Sequence, residues 1–242
     1  MNAQSDRAHR FRQMHREPPM LVLPNAWDVE SAHVLAALPG CRALATSSGA
    51  VARAMGWEDG ERMPADEMIA ACGRIAAAVD LPVSGDLEHG YGDPVATARA
   101  AWQAGLVGLN FEDSTGAGMV DQREQEEAIA ALRHAVPDMV VNARVDVYLR
   151  KAGGLEDAVR RANAYLEAGA DCAYPIFCPA EDIAGLAEGI AGPVNVLARP
   201  DTPPPSELAK LGVARLTWGA GLAALAYREA ARVAGQGLAD LP

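Results

Sequence analysis

A regular alternation of short β-prone segments and longer alanine-rich segments runs along the chain and limits the folds it can adopt. The β-prone segments recur roughly every 25 to 35 residues. They are MLVLPNA (20–26), ALATSS (43–48), PVSGDLE (82–88), VGLNFED (107–113), VVNARVD (140–146), CAYPIF (172–177), VNVLARP (194–200) and RLTWG (215–219). Most of the intervening segments are amphipathic, as in ADEMIAACGRIAAAV and REQEEAIAALRHAV, and predict helices.

Strands that alternate with helices predict an α/β fold with a parallel sheet. Eight strands favour a (β/α)8 TIM barrel, whereas a doubly wound open sheet would have about five to seven. The length of 242 residues suits one large domain. We therefore expect a single barrel domain over residues 1–242, in which residues 1–17 form a polar N-terminal segment.

The composition of the chain limits which partners it is expected to bind and in which cell compartment it is expected to lie. The formal net charge of −11 argues against binding to nucleic acid or to an anionic membrane. The N-terminal segment lacks the apolar core of a signal peptide, and no uncharged apolar run is long enough to span a membrane. The four cysteines form no CxxC pair. We expect reduced thiols and a cytoplasmic protein.

Polar side chains are concentrated at the carboxyl ends of the predicted strands, where barrel enzymes form their active sites. Residues two apart in a strand point to the same face. The sets that share a face are Asp86 with Glu88, Asn110 with Glu112, and Asn142 with Arg144 and Asp146. The top of the barrel lumen is therefore predicted to be polar.

The charges predicted at this end of the barrel do not balance. Asp86, Glu88 and Glu112 would converge from neighbouring strands, and Arg144 is the cation on the adjacent strand. A hard divalent cation with oxygen ligands would offset the difference, and Mg²⁺ is the simplest choice. No histidine cluster or cysteine pair offers a zinc site. The alternative is that these carboxylates cap helices or pair with arginines.

Four motifs, taken together in their order and spacing, are specific to one protein family. They are ATSSGAVARAMGWEDGE (45–61), GDLEHGYGD (85–93), GLNFED (108–113) and NARVDVYL (142–149). By these motifs the chain resembles the isocitrate lyase/phosphoenolpyruvate mutase superfamily, in particular its short-chain members, over nearly its whole length. The resemblance implies a (β/α)8 barrel whose last helix is often swapped between subunits, and hence a homodimer or homotetramer.

The resemblance also implies a metal cofactor. Mg²⁺, with Mn²⁺ as an alternative, would be held by Asp86 and, directly or through water, by Asp59, Glu88 and Glu112. The family usually has aspartate where Glu88 stands, so the reach of this ligand differs by one methylene.

The substrates implied by the resemblance are small carboxylates, either 2-oxo acids or acids cleaved to them through a pyruvate enolate. Backbone donors at Ser48, Gly49 and Ala50 would bind the substrate carboxylate. Arg144 and Glu112 are the expected catalytic residues, and Arg144 would also bind substrate and stabilise the enolate oxygen.

The loop STGAGMVDQREQEE (114–127) departs from the family pattern. It lacks the Lys-Lys/Arg-Cys-Gly-His segment that supplies the general acid of isocitrate and methylisocitrate lyases, and it lacks the lysine-bearing lid of phosphonomutases. Gly116 and Gly118 would nevertheless make this loop pliable, as a lid requires; a merely disordered loop is the alternative. The remaining enolate core predicts a Mg²⁺-dependent lyase that cleaves a C–C bond or decarboxylates. Phosphonomutase-like P–C chemistry and a non-catalytic carboxylate-binding barrel are the alternatives.

Other reactive residues have weaker interpretations. His89 lies in the turn after the third strand and is either an acid or base or a solvent-facing loop residue. Cys178 has no visible base partner and is interpreted as a core thiol. Lys151 and Lys210 lie outside the predicted strands, which argues against a Schiff-base mechanism.

Overall fold

The computed structural model describes residues 3–239, which form a closed barrel of parallel strands with helices on its outside. The strands are β1 (Leu21–Leu23), β2 (Asn25–Ala26), β3 (Leu44–Thr46), β4 (Val83–Asp86), β5 (Gly108–Glu112), β6 (Ser114–Thr115), β7 (Gly118–Met119), β8 (Val140–Val145), β9 (Cys172–Pro175), β10 (Asn195–Leu197) and β11 (Arg215–Thr217). The α-helices are α1 (Ala3–Met14), α2 (Val29–Ala36), α3 (Ser48–Ala54), α4 (Ala65–Ala77), α5 (Pro94–Gln103), α6 (Gln122–Ala135), α7 (Leu155–Glu167), α8 (Ile183–Gly189), α9 (Pro205–Lys210) and α10 (Gly221–Ala239).

The strand pairings close the barrel. One sheet runs in the order β2-β3-β4-β5-β8-β9 and the other in the order β1-β11-β10, with every pairing parallel. A bridge between Ala173 and Val194 links the two sheets on one side. On the other side β1 and β2 are one strand interrupted at Pro24, which has no N–H to donate. The predicted barrel is therefore confirmed, and the alternative of a doubly wound open sheet is not. Every predicted β segment contains an observed strand.

Local signals in the sequence fix where the outer helices begin and end, as α5 illustrates. The Asp93 Oδ1 accepts a hydrogen bond from the Ala96 N–H at 2.9 Å, and Pro94 occupies the first turn. Gly105, with φ of 95°, adopts the left-handed conformation that follows a helix end. The buried Ala98 and Ala101 face the strands, so each βα unit delivers the next strand end to the same edge of the barrel.

The N-terminal segment has a structural role that its polar composition did not predict. It forms α1, whose buried Ala8 and Phe11 pack against the first residues of the strands. A Cβ placed on Gly108 would lie 2.8 Å from Phe11 Cε1, so this close approach requires glycine. α1 thereby closes the amino-terminal end of the lumen and leaves the carboxyl-terminal end open. No helix between residues 3 and 239 is both long and apolar enough to cross a membrane.

Candidate active site

A cavity of about 490 Å³ opens at the carboxyl-terminal end of the barrel. Its polar floor contains Ser48, Asp86, Asn110, Arg144 and Tyr174, which come from neighbouring strands or from the residues just after them. The sequence prediction that polar side chains meet at this end of the lumen is confirmed. Opposite the floor stands an apolar wall, which the sequence did not predict.

Asp86 is the last residue of β4 and is held in one orientation by neighbouring donors. Its Oδ2 accepts hydrogen bonds from the Ser48 N–H at 2.9 Å and from the Ser48 hydroxyl at 3.0 Å, and its Oδ1 accepts one from the Asn110 side-chain amide at 3.2 Å. The Asp86 N–H donates to Thr46 Oγ1 at 2.9 Å. Although the residue is only 8% exposed, it lines the cavity. A buried carboxylate satisfied in this way is fixed and ready to act as a ligand.

Arg144 lies on β8 between two carboxylates. Its Nε and Nη2 donate to the two carboxylate oxygens of Asp146 at 2.7 and 2.9 Å, and its Nη1 forms an ion pair with Glu112 on β5. Burial opposes the charged guanidinium, but Glu112 and Asp146 raise the pKa of Arg144 above its usual value. The result is a permanently charged, rigidly held cation at the cavity floor.

A second layer of contacts holds Asp146, for which the sequence suggested no role. The Asp146 N–H donates to Asp113 Oδ1 at 2.7 Å, and the Ser114 hydroxyl contacts the Asp146 carboxylate. Asp113 in turn accepts from the Tyr165 hydroxyl at 2.8 Å. Both aspartates are completely buried. The sequence signal for these two residues was an aspartate directly after each of the buried strands β5 and β8. In the structure the two aspartates hold Arg144 in place.

Glu88 does not share a face of a strand with Asp86, so this part of the sequence prediction is wrong. β4 ends at Asp86, and Glu88 adopts a left-handed backbone with φ of 52°. Its carboxylate accepts from the Glu61 N–H at 2.7 Å and from the Tyr91 hydroxyl at 3.1 Å. Burial raises the pKa of Glu88 to about 7, and the carboxylates of Asp59 and Asp86 add to the rise. Glu88 thus ties the segment around Glu61 to the turn after β4, on the edge of the acidic cluster.

Of the residues predicted at the start of α3, Ser48 lines the cavity, whereas Gly49 and Ala50 are buried and are not among its lining residues. Some of their backbone donors already have partners. The Ser48 N–H bonds to Asp86, and the Ala50 N–H bonds to the Ser47 carbonyl at 3.1 Å. The Asp59 carboxylate packs closely against Gly49: a Cβ added at position 49 would lie only 2.5 Å from Asp59 Oδ2. Asp59 itself is exposed and reaches the cavity from the loop between α3 and α4.

The chemistry of these donors fits a hard divalent cation. Asp59, Asp86, Glu88 and Glu112 offer carboxylate oxygens, the ligands that Mg²⁺ prefers. Burial raises the pKa of Glu112, as do Asp86, Asp146 and Glu88, while Arg144 opposes the rise. The carboxylates therefore disfavour one another's charged forms, an excess of negative charge that a cation would relieve. As they stand, however, no three His, Cys, Asp or Glu side chains within residues 3–239 converge as a metal-binding group.

The segment after β5 is partly ordered by secondary structure. β6 and β7 form a short antiparallel hairpin, and the Asp121 carboxylate caps α6 by accepting from the Arg123 N–H at 2.9 Å. Arg150 donates to the Ser114 hydroxyl at 3.0 Å at the base of the hairpin. The hairpin covers a second cavity of about 260 Å³ on the far side of Glu88 and Glu112.

The structure distinguishes between the interpretations of His89 and Cys178. His89 is half-buried, its Nδ1 lies 2.7 Å from the Glu112 carbonyl oxygen, and its ring stacks on Phe111. The solvent-facing interpretation of His89 is therefore wrong, and this side chain lines the second cavity. Burial raises the pKa of Cys178 to about 11, which keeps the thiol protonated and supports its interpretation as a core residue.

The apolar wall of the main cavity is built by the loops that follow the last strands. It is lined by Leu149, Ile176, Phe177, Leu197, Pro200 and Trp218. Three segments, YPIFCP, VLARP and LTWG, carry most of these side chains. The sequence signal for this wall was an apolar residue immediately after a strand. From the sequence alone, such a residue cannot be distinguished from an ordinary core residue.

Comparison with known proteins places this chain in a family. The family profile described as phosphoenolpyruvate phosphomutase matches residues 11–238. The 2-methylisocitrate lyase of Halalkalibacterium halodurans is 31% identical over 205 residues, which cover 79% of this chain and 67% of the relative. The family resemblance seen in the four motifs is thereby confirmed.

Solved structures agree in fold over almost the whole chain. A structure from Burkholderia cenocepacia J2315 superposes with a TM-score of 0.91 at 34% identity, covering 99% of this chain and 90% of that chain. A phosphonopyruvate hydrolase solved in complex with oxalate and Mg²⁺ superposes with a TM-score of 0.84 at 25% identity, covering 98% and 91%.

Proposed function

The chain belongs to the phosphoenolpyruvate phosphomutase family, and its relatives in that family are lyases and mutases. On this basis we propose that the protein is a Mg²⁺-dependent lyase. Its substrate is a small 2-oxo or enolpyruvyl acid, which it cleaves at a C–C bond or decarboxylates through an enolate like that of pyruvate. The observation that carries the proposal is the fixed Arg144 guanidinium, which lines one cavity with the buried Asp86 carboxylate.

In this proposal Asp86 is the principal metal ligand, and Asp59, Glu88 and Glu112 complete the set directly or through water. When bound, the divalent cation supplies a Lewis acid that favours the negative charge of an enolate. Asp86 suits the role because Ser48 and Asn110 already fix its orientation. Substrate carboxylate binding is assigned to the backbone at the start of α3, around Gly49.

Arg144 acts where negative charge develops. As the C–C bond breaks, its electron pair moves into the enolate, and the guanidinium stabilises the enolate oxygen. Asp146 holds the guanidinium by two hydrogen bonds, so little reorganisation is needed during the reaction. The loop 114–127 has no lysine, cysteine or histidine. The proton that converts the enolate to product therefore comes from water.

A calorimetric titration of oxalate, a planar mimic of the pyruvate enolate, tests the metal and enolate sites. Protein freed of metal by EDTA is titrated with and without MgCl₂, and we expect oxalate to bind only with MgCl₂. Asp86→Asn is expected to abolish that binding, whereas Asp80→Asn, a change of an exposed surface aspartate, leaves it intact. Equal oxalate binding by the Asp86→Asn variant would remove Asp86 from the metal site.

Turnover separates the lyase from its two alternatives. The lyase releases pyruvate from oxaloacetate-like acids in a Mg²⁺-dependent reaction. Conversion of phosphonopyruvate without C–C cleavage would instead establish P–C chemistry. The third alternative, a non-catalytic barrel, is also compatible with the absence of a general acid in the loop 114–127. It would bind oxalate but release no product from either substrate.

A further inference from the structure

The main cavity is divided into two chemically different halves. The polar floor comes from residues on or just after β3, β4, β5, β8 and β9, whereas the apolar wall comes from the end of β10 and from the loops after β8, β9, β10 and β11. Building on the proposed function, we propose that the 2-oxo acid head of the substrate binds at the floor together with the group that C–C cleavage releases as CO₂ or as a carbonyl compound. Any further substituent of the substrate is an uncharged alkyl or aryl group. Leu149, Phe177 and Trp218 then select that substituent.

The cations that line this cavity are already neutralised. Within residues 3–239 they are Arg144, which pairs with Glu112 and Asp146, and Arg199. Arg199 Nε donates to Asp201 at 3.0 Å, and its Nη1 donates to the Phe177 carbonyl at 3.3 Å. A second or third carboxylate placed against the wall would lose its hydration without gaining a free cation, which is strongly unfavourable.

Arg62 and Arg150 do not change this conclusion. They line the second cavity, beneath the hairpin and beyond Glu88 and Glu112, and neither lines the main cavity. A substituent that extends from the floor toward β10 and β11 passes the hydroxyl of Thr217 and then meets the apolar wall, where the one charged side chain among the described residues is Arg199, paired with Asp201.

The wall exposes apolar area that a ligand can cover. Phe177 is 43% exposed and Leu149 is 39% exposed, although both line the cavity. Phe177 also has φ of 58°, a left-handed conformation that is unfavourable for a bulky residue and is found mainly where function requires it. Its carbonyl accepts a hydrogen bond from Arg199, so the same backbone turn helps to hold this side chain and presents an aromatic ring to the cavity.

Calorimetry with a series of 2-oxo acids in MgCl₂ tests the proposal, with oxalate as the probe of the floor alone. Pyruvate, 2-oxobutyrate and 2-oxohexanoate should bind with affinities that rise about fourfold for each methylene that becomes buried. The decisive pair is 2-oxoglutarate and 5-methyl-2-oxohexanoate, which have similar shapes but end in a carboxylate and an isopropyl group. We expect the isopropyl compound to bind at least tenfold more tightly.

Three variants locate the selection. Phe177→Asn keeps a residue that tolerates the left-handed backbone, and Leu149→Ser removes apolar area at the other side of the wall. Each should weaken binding of 5-methyl-2-oxohexanoate by about tenfold without changing the affinity for oxalate. Leu211→Ser is the matched control, because Leu211 is 41% exposed and follows α9, away from the cavity.

The outcomes separate this proposal from the function on which it rests. The apolar selection would be overturned if oxalate binds but affinity does not rise with the chain length of the 2-oxo acid. It would also be overturned if 2-oxoglutarate binds as tightly as 5-methyl-2-oxohexanoate or more tightly. In both cases the lyase proposal would stand. A failure of oxalate to bind would overturn both. Equal losses in Leu211→Ser and Leu149→Ser would show that the effect does not come from the wall.

Discussion

At the scale of single residues, Arg144 is the side chain whose geometry carries most of the proposed chemistry. A lysine keeps the charge but cannot reproduce the bidentate contact with Asp146 and the simultaneous contact with Glu112. We expect Arg144→Lys to lower the rate of pyruvate release from oxaloacetate by about 100-fold or more. The free energy of unfolding should fall by only about 1 kcal/mol. Steady-state kinetics and urea unfolding measure the two effects.

Arg99→Lys provides the control for this substitution, since Arg99 is exposed on α5. It should change neither quantity. An Arg144→Lys variant with the wild-type rate would remove Arg144 from the mechanism, and one that lost stability and rate together would assign it a structural role.

His15 makes stability depend on pH. This side chain, 3% exposed, contacts the Phe11 carbonyl through Nδ1, and its Nε2 has no hydrogen-bond partner among residues 3–239. Burial, together with the nearby Arg215, lowers the pKa of His15 to about 3. The unfolded chain binds a proton near its usual pKa of about 6.5 and the folded chain does not, so stability is highest above that value and falls as the pH drops. The loss between pH 6.5 and pH 5 is roughly 1.6 kcal/mol.

Urea unfolding of the wild type and of His15→Gln at several pH values measures this effect. Glutamine does not titrate, so the His15→Gln variant should be less stable at pH 7 but should lose less stability than the wild type between pH 6.5 and pH 5. Parallel pH dependences would show that other groups are responsible.

The residues of the site were predictable from the sequence only as far as the strands extend. Asn110, Glu112 and Arg144 lie on β5 and β8, where residues two apart share a face, and they meet as expected. Glu88 lies beyond the end of β4, in a left-handed turn, where that periodicity no longer applies. Asp113 was not predicted, because its role depends on partners more than 30 positions away in the chain, as in its bond to the Asp146 N–H.

At the scale of elements, the packing of α3 against the loop before α4 places Asp59 in the site. A methyl group at position 49 would overlap Asp59 Oδ2, which can move because it is the end of an exposed side chain. We expect Gly49→Ala to displace Asp59 and to weaken Mg²⁺-dependent oxalate binding by about tenfold, a cost of about 1.4 kcal/mol. The melting temperature should change by less than about 4 °C.

Gly116→Ala is the matched control for Gly49→Ala, since an added Cβ at Gly116 meets nothing within 4 Å. Calorimetry and thermal unfolding of both variants check the prediction. Unchanged oxalate affinity in Gly49→Ala would show that the position of Asp59 is not important for the metal site.

Elements whose pattern is local were predictable, and elements that depend on tertiary contacts were not. The strands and the helices α4 to α7 follow from hydrophobic periodicity, helix caps and terminal glycines. α1 was not predicted because its polar surface hides a short buried stripe that includes Phe11. The β6–β7 hairpin lies in a polar, glycine-containing segment, which the sequence indicated only as a pliable loop.

At the scale of the whole molecule, α10 presents an apolar face that the barrel does not cover. Along this helix Ala223, Ala226, Tyr227, Ala230 and Val233 recur at helical spacing and therefore share one face. Ala223 is buried, and the Tyr227 ring lies 6.2 Å from that of Trp27, so this face begins against the barrel. Beyond Ala223 the residues of α10 are exposed. An amphipathic helix left uncovered in this way favours association with another subunit.

We therefore expect a homo-oligomer in which the uncovered face of α10 packs against a second copy. Val233 and Leu225 provide a matched pair, because they are 54% and 52% exposed and lie about 80° apart around α10, Val233 on the apolar face and Leu225 outside it. Val233→Asp should bury a charge in the interface and dissociate the oligomer, whereas Leu225→Asp, on the side with Arg228 and Arg232, should leave it intact. Light scattering coupled to size-exclusion chromatography measures both masses. A wild type of 25.3 kDa would contradict the prediction, and equal dissociation by both variants would show that charge on α10, rather than this face, controls association.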